Sequence, residues 1–111
     1  MPEQFIPEPF QCAVDRAGER AFVRVAGELD VGTADAVEAC LRDAIASGAG
    51  EVVLDLREVT FLGSTGVRVA LAFHSLARDD GFRFALIPGP PHVHRVFELA
   101  AVTELLRFVD S

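Results

Sequence analysis

The segment EVVLDLREVTFLGSTGVRVALAFHSLARDDGFRFALI, residues 51–87, constrains the fold more than any other part of the chain. Its opening EVVLDL (51–56) is short, continuous and β-branched at its start, the pattern of a strand buried on both faces. From Ser64 to Arg78, Val67, Val69, Ala70, Leu71, Ala72, Phe73, Leu76 and Ala77 run nearly all round a helix. Such a helix is either central or carries an exposed apolar stripe. DDG (79–81) ends it and FRFALI (82–87) reads as another strand. A strand, a helix and a strand in that order form a crossover, the connection that parallel strands require.

The flanking segments extend this unit. FQCAVDR (10–16) alternates, with Phe10, Cys12 and Val14 on one side. AG (17–18) breaks it, and RAFVRVAGEL (20–29) alternates again, with Phe22 and Val25 among its apolar positions. Two strands around a short glycine-containing turn predict a hairpin. Thr33 then stands as an N-cap with Asp35 in the first turn, and Val37, Cys40, Leu41, Ala44 and Ile45 share one helical face. Gly48 and Gly50 stop that helix. PGPP (88–91) is a rigid turn whose Pro90 or Pro91 starts a third helix, with Val93, Val96, Phe97 and Ala100 on its face. TELLRFVD (103–110) closes either as a short strand around Leu106–Val109 or as a last helix. Residues 1–9, with three prolines and two glutamates, read as an extended lead-in. The expected architecture is one α/β domain over 10–111, in the order β-β-α-β-α-β-α(-β). Its mixed sheet has 4–5 strands and is flanked by helices.

Composition narrows the function classes. The 111 residues carry a formal charge of −7. That excludes the basic footprint that nucleic acid needs, and a polybasic membrane anchor. No stretch approaches the roughly 18 apolar residues of a membrane helix, so direct membrane insertion is not expected. MPEQFIPEPF has neither a basic start nor an apolar run, so the expected location is cytoplasmic. Cys12 and Cys40 belong to no CxxC or Cys/His cluster and read as buried, reduced thiols.

Enzyme chemistry finds no foothold. There is no GxxxxGK[ST] and no GxGxxG after a strand, so no nucleotide or other cofactor is expected. LGSTG has the wrong spacing for a G-x-S-x-G nucleophile elbow, because Gly63 directly precedes Ser64. His74 lies ten residues from Ser64 on the same helix, or ~15 Å at 1.5 Å per residue. His92 and His94 are two apart on a helix start and point in different directions, so a shared metal is not expected. Asp55, at the end of its predicted strand, reads as an acid that satisfies loop N–H groups. What remains is FLGSTG (61–66), where Ser64 and Thr65 meet the start of a helix. A hydroxyl there either caps the helix, worth about 1 kcal/mol, or is a place for a phosphate. A phosphate would meet the positive helix end and free N–H groups. The fold tolerates that charge, and a docked partner need not.

Two segments carry a resemblance. GELDVGTADAVEACL (27–41) resembles the GELD-x-x-TA segment of bacterial anti-sigma factor antagonists of the STAS-domain family. VVLDLREVTFLGSTGVRVAL (52–71) is similar to the family's second signature, an aliphatic–D-L-S-x-V-x-F-[ILM]-D-S-[ST]-G-[LV] run. The resemblance implies a small α/β domain and a regulator that switches partners. In that cycle an anti-sigma factor with serine kinase activity binds the unphosphorylated form and phosphorylates its serine, and a serine phosphatase resets it. The matching position is Ser64, with Thr65 as the second hydroxyl, Asp30 as the acid of the first motif and Gly66 as the glycine after the pair. Gly63 replaces the family's Asp, and Arg57, which replaces the Ser of D-L-S, reads as a neutral surface change. The expected partner-binding set is Asp30, Gly63, Ser64, Thr65 and Gly66, joined by Val69 and Phe73 if the 64–78 helix exposes an apolar stripe. The alternative is a non-phosphorylated STAS adaptor, a subunit of a signalling assembly or of a membrane transporter. Gly63 favours it.

Overall fold

Gly18, at φ 63°, lets the chain reverse within two residues, so that Ala17 pairs directly with Arg20. This turn joins β1 (Gln11–Ala17) to the antiparallel β2 (Arg20–Leu29). The chain continues through α1 (Ala34–Ala46), β3 (Glu51–Leu62), α2 (Ser64–Asp80), β4 (Arg83–Ile87) and α3 (Pro91–Leu99). The computed structural model describes residues 10–110, so the lead-in expected over 1–9 lies outside the described residues. The sheet order is β1-β2-β3-β4, with β2, β3 and β4 mutually parallel. The mixed sheet and element order are those expected from the sequence.

The segment after α3 is neither of the two outcomes left open. Turns carry it through Leu106, and a single parallel bridge then joins Phe108 to Leu86. The N–H of Leu86 donates to the Arg107 carbonyl at 2.9 Å, and the N–H of Val109 donates to the Leu86 carbonyl at 2.8 Å. Ala100, expected on the buried face of α3, is exposed, because that helix ends at Leu99.

All three helices feed one core on one face of the sheet. Val37, Leu41 and Ala44 of α1 share it with Val69, Ala70 and Phe73 of α2 and Val93 and Phe97 of α3, over Val23, Val25, Leu54, Leu56 and Leu86. The opposite face holds a smaller cluster, Val53, Ala85 and Ile87, with Phe22 and Val109 packed against it. Phe22 is thus on the other face from Val25. In β2 the inward positions are Ala21, Val23, Val25 and Leu29, and a period of two puts Phe22 on the far side. Cys12 and Cys40 are free and only half-buried, in side-chain contact between β1 and α1; burial first, then Cys40, push the Cys12 thiol up and keep it protonated. No helix among the described residues is long and apolar enough to cross a membrane.

β3 is twice as long as EVVLDL. It keeps pairing with β2 through REVTFL by slipping register twice, between Arg24 and Ala26 and between Gly27 and Glu28. Its charged residues look like a loop in sequence. In the fold they are accommodated because β4 ends opposite Asp55, leaving that edge of β3 without a paired strand. The extension carries β3 to the level where β2 ends, which places the loop at 61–66 beside the loop at 30–33.

Two buried acids sit on β3. Asp55 does not reach the 61–66 loop. Its Oδ1 accepts from the Arg57 N–H and Nε, both at 3.0 Å, and its Oδ2 from Arg57 Nη2 at 2.8 Å. Arg57 is therefore no neutral surface change: burial alone would raise the Asp55 carboxyl, and the Arg57 bonds and charge outweigh it and hold the carboxyl below its ordinary range. Glu51 is ringed by Arg20 at 3.0 Å, Arg83 at 3.7 Å and Arg107 in closer contact.

Candidate functional site

The site forms where β2 and β3 end together. Leu29 stands opposite Leu62, and the N–H of Gly63 donates to the Leu29 carbonyl at 3.0 Å. Beyond that stitch β2 enters a four-residue turn, Asp30, Val31, Gly32 and Thr33, while β3 passes through Gly63 straight into α2. The turn is rigid. The Asp30 carbonyl accepts from the N–H of Thr33 at 3.0 Å and of Ala34 at 2.9 Å. The Asp30 N–H donates to Thr33 Oγ1 at 3.1 Å, and that hydroxyl donates to the Glu28 carbonyl at 2.8 Å. Thr33 holds the N-cap position of α1, as expected, yet its hydroxyl closes the turn and makes no cap hydrogen bond.

The capping reading of Ser64 and Thr65 does not hold either. The N-cap of α2 is Gly63, without a side-chain cap, and its carbonyl accepts from the N–H of Gly66 at 3.0 Å and of Val67 at 3.4 Å. Ser64 and Thr65 occupy the first two helical positions, one residue too late to cap. Ser64 is exposed and Thr65 half-buried. Among the described residues neither hydroxyl has a hydrogen-bond partner, and neither backbone N–H has an acceptor.

Asp30, Gly63, Ser64, Thr65 and Gly66 are therefore brought together. Gly66 is where α2 touches the strand ends: a Cβ there would lie 2.4 Å from Leu62 Cδ1 and 2.9 Å from Leu29 Cδ2. Gly66→Ala is expected to overpack this junction and cost about 2 kcal/mol in urea unfolding. A cost below about 0.5 kcal/mol would mean that the two leucines simply yield.

Val69 and Phe73 correct the expected set. They are 3% and 2% exposed, facing the core rather than a partner. α2 packs between α1 and α3, and the Arg42 guanidinium lies over the Phe73 ring at 5.4 Å. The face that α2 shows to solvent carries Arg68, Ala72 and Ser75. Apolar exposure lies instead at the loop mouths: Val31 is 76% exposed and Phe61 48%. Val31 follows Asp30, and Phe61 stands two residues before Gly63, in GELDV and FLG. Sequence alternation missed Phe61 because the register slip before it turns Val59 and Leu62 inward and Phe61 out.

His92 also joins this end of the molecule. Its Nε2–H donates to the Thr60 carbonyl at 2.8 Å, pinning the start of α3 to the end of β3. His94 points elsewhere, edge-on to the Phe108 ring at 4.8 Å. The two histidines thus diverge, as their spacing requires. His74, half-buried, is on the α2 face toward Phe82 and Phe84 rather than at the 61–66 loop.

With this geometry in hand, the chain can be set beside known proteins. The family described as "Mlab, STAS domain" matches residues 12–107. An anti-sigma F factor antagonist from Paenibacillus polymyxa is 31% identical, over 81% of this chain and 78% of that protein. The anti-sigma-F factor antagonist RsfB of Mycobacterium tuberculosis is 36% identical, over 82% of this chain and 74% of its own. The crystal structure of an anti-sigma factor antagonist from Mycobacterium paratuberculosis superimposes with a TM-score of 0.81, at 25% identity, covering 96% of this chain and 90% of that one. In sequence signature, element order and backbone, the chain belongs to the STAS-domain family.

Proposed function

We propose that this protein is an anti-sigma factor antagonist that works by partner switching in the cytoplasm. It binds an anti-sigma factor with serine kinase activity and is released when that partner phosphorylates Ser64; a serine phosphatase restores the binding form. The names of its relatives support the class of partner. The observation that carries the switch is the state of Ser64: exposed at the start of α2, uncommitted to any cap, and one residue after Gly63, which the Asp30 carboxylate crowds.

The physics of release is local. A phosphate on Ser64 adds about −1.5 to −2 charges. The free N–H groups and positive end of α2 accept it, so the domain stays folded. A partner docked over Val31 and Phe61 would have to desolvate that charge beside Asp30, and like-charge or unpaired-charge burial costs several kcal/mol. On this reading the protein is a binding module and turns over no substrate.

The test is a capture from native cells with three baits: wild type, Ser64→Ala and Ser64→Glu, with phosphopeptide mapping of the wild type. A kinase-type anti-sigma factor should bind wild type and Ser64→Ala alike and bind Ser64→Glu about 100-fold more weakly, or ~2.7 kcal/mol. Loss of the signature acid at position 63 favours a second reading, a constitutive STAS adaptor in a signalling assembly or membrane transporter. It predicts one non-kinase partner held equally by all three baits and an unmodified Ser64.

A further inference from the structure

We propose that Asp30 and Gly63 form one steric unit. The Asp30 carboxylate occupies the space a side chain at position 63 would need, and stands against the switch turn as the acidic group a partner reads. The steric half stands on the geometry alone; the recognition half rests on the partner-switching reading above.

Gly63 adopts φ −94° and ψ 174°, extended backbone open to any residue, so conformational freedom does not explain a glycine here. Space does. A Cβ built on Gly63 would lie 2.1 Å from Asp30 Oδ1, 2.6 Å from Cγ and 3.1 Å from Oδ2. The whole carboxylate lies where that side chain would begin. This differs from Gly66, whose missing Cβ makes room for leucines.

Both backbones are tied by hydrogen bonds at this point. Gly63 is tied to the Leu29 carbonyl, and Asp30 is held by the Thr33 hydroxyl and by the N–H groups of Thr33 and Ala34. The relief of lowest cost is rotation of the Asp30 side chain, which would swing the carboxylate away from the turn. Among the described residues that carboxylate has no hydrogen bond or ion pair, so its acceptor capacity is open to a docking molecule. With Val31 next in the chain and Phe61 exposed near the same strand ends, the complementary surface is apolar with a lysine, arginine or backbone N–H aimed at Asp30. The signature carries an acid at both positions; this chain keeps the one at Asp30, and its carboxylate fills the space left at position 63.

A double-mutant cycle in the full chain tests the steric half. Gly63→Ala should lower the urea midpoint in the Asp30 background and leave it nearly unchanged in the Asp30→Ala background. Equal shifts in both backgrounds would overturn the unit. If Gly63→Ala is too unstable to measure alone, the Asp30 side-chain torsion in Gly63→Ser, read by NMR, decides instead: an unrotated carboxylate overturns it. For recognition, the probe is the purified anti-sigma factor that the wild-type bait recovers. Asp30→Ala and Gly63→Ala should each raise Kd about tenfold, the pair together no more than either alone, and Asp30→Ala with Gly63→Asp should restore most of the affinity. An unchanged Kd for Gly63→Ala sinks the recognition half. If no anti-sigma factor is recovered, the partner-switching reading and the recognition half fail with it, and the urea cycle still decides the steric unit.

Discussion

Phe97→Ala is expected to cost about 4 kcal/mol, the largest single loss in this chain. Phe97 is 1% exposed and is, among the described residues, the largest fully buried side chain. Its ring meets Phe108 at 5.4 Å and 74°, with His94 at 6.2 Å. Removing it leaves a cavity beneath α3 and takes away an edge-to-face contact worth about 1 kcal/mol. That contact helps attach the last segment, together with the bridge at Leu86, the Arg107–Glu51 ion pair, the His94–Phe108 ring contact and the buried Val102 and Leu106. Against a total stability of about 5–15 kcal/mol, the melting temperature should fall by roughly 15–25 °C. Calorimetry is the check. A fall under about 5 °C would mean that α3 collapses onto the sheet and fills the space. Because His92 ties α3 to Thr60, one residue before Phe61, the same variant should also loosen the mouth of the site, visible as faster amide exchange there.

Glu51→Gln is the second large effect, about 3 kcal/mol at neutral pH. The carboxylate is 3% exposed and joins three parts of the chain: Arg20 of β2, Arg83 of β4 and Arg107 of the closing segment. Burial alone would raise its pKa. The Arg107 hydrogen bond and the charges of Arg107, Arg20 and Arg83 outweigh burial, so the folded-state pKa lies below the ordinary carboxylate value. The unfolded chain then binds the proton more tightly than the folded one. Glu51 therefore stabilises fully above the unfolded pKa of about 4.3, and that contribution is lost as pH falls through the lowered folded value. Urea unfolding between pH 7 and pH 3 should show wild type losing more stability than Glu51→Gln. Some slope remains in both chains, because Asp55 is lowered in the same way by Arg57. Parallel profiles would mean that the arginine ring is not linked to folding.

The switch residues were legible as a motif before they were legible as a place. GELD and FLGSTG lie more than thirty residues apart in the chain, and only the register Leu29 opposite Leu62 makes them neighbours. The roles within the motif were less readable. A hydroxyl at a helix start looks like a cap in sequence, and one residue of displacement, with Gly63 taking the cap, releases Ser64. Likewise Val69 and Phe73 sit on a helix that is apolar nearly all round, so periodicity had no polar side against which to choose a face. The sheet made the choice, with Phe84 of β4 against Phe73, and α1 and α3 closed the flanks.

By itself the sequence determined the class of fold. Continuous and alternating apolar runs, separated by glycine and proline signals, are local patterns whose periods dictate strand or helix, and a strand–helix–strand order leaves parallel pairing as the open route. Tertiary structure alone decided what depends on partners far along the chain. It let β3 run on through Arg57 and Glu58, because β2 supplied hydrogen-bond partners past two register slips. It ended the chain in one bridge instead of a strand, because Arg107 is drawn to Glu51 and Phe108 to Phe97. It also set Asp30 in the space above Gly63. Propensity is summed over neighbours in sequence, whereas a bulge, an ion pair and a steric exclusion are each settled between residues that meet only after the chain has folded.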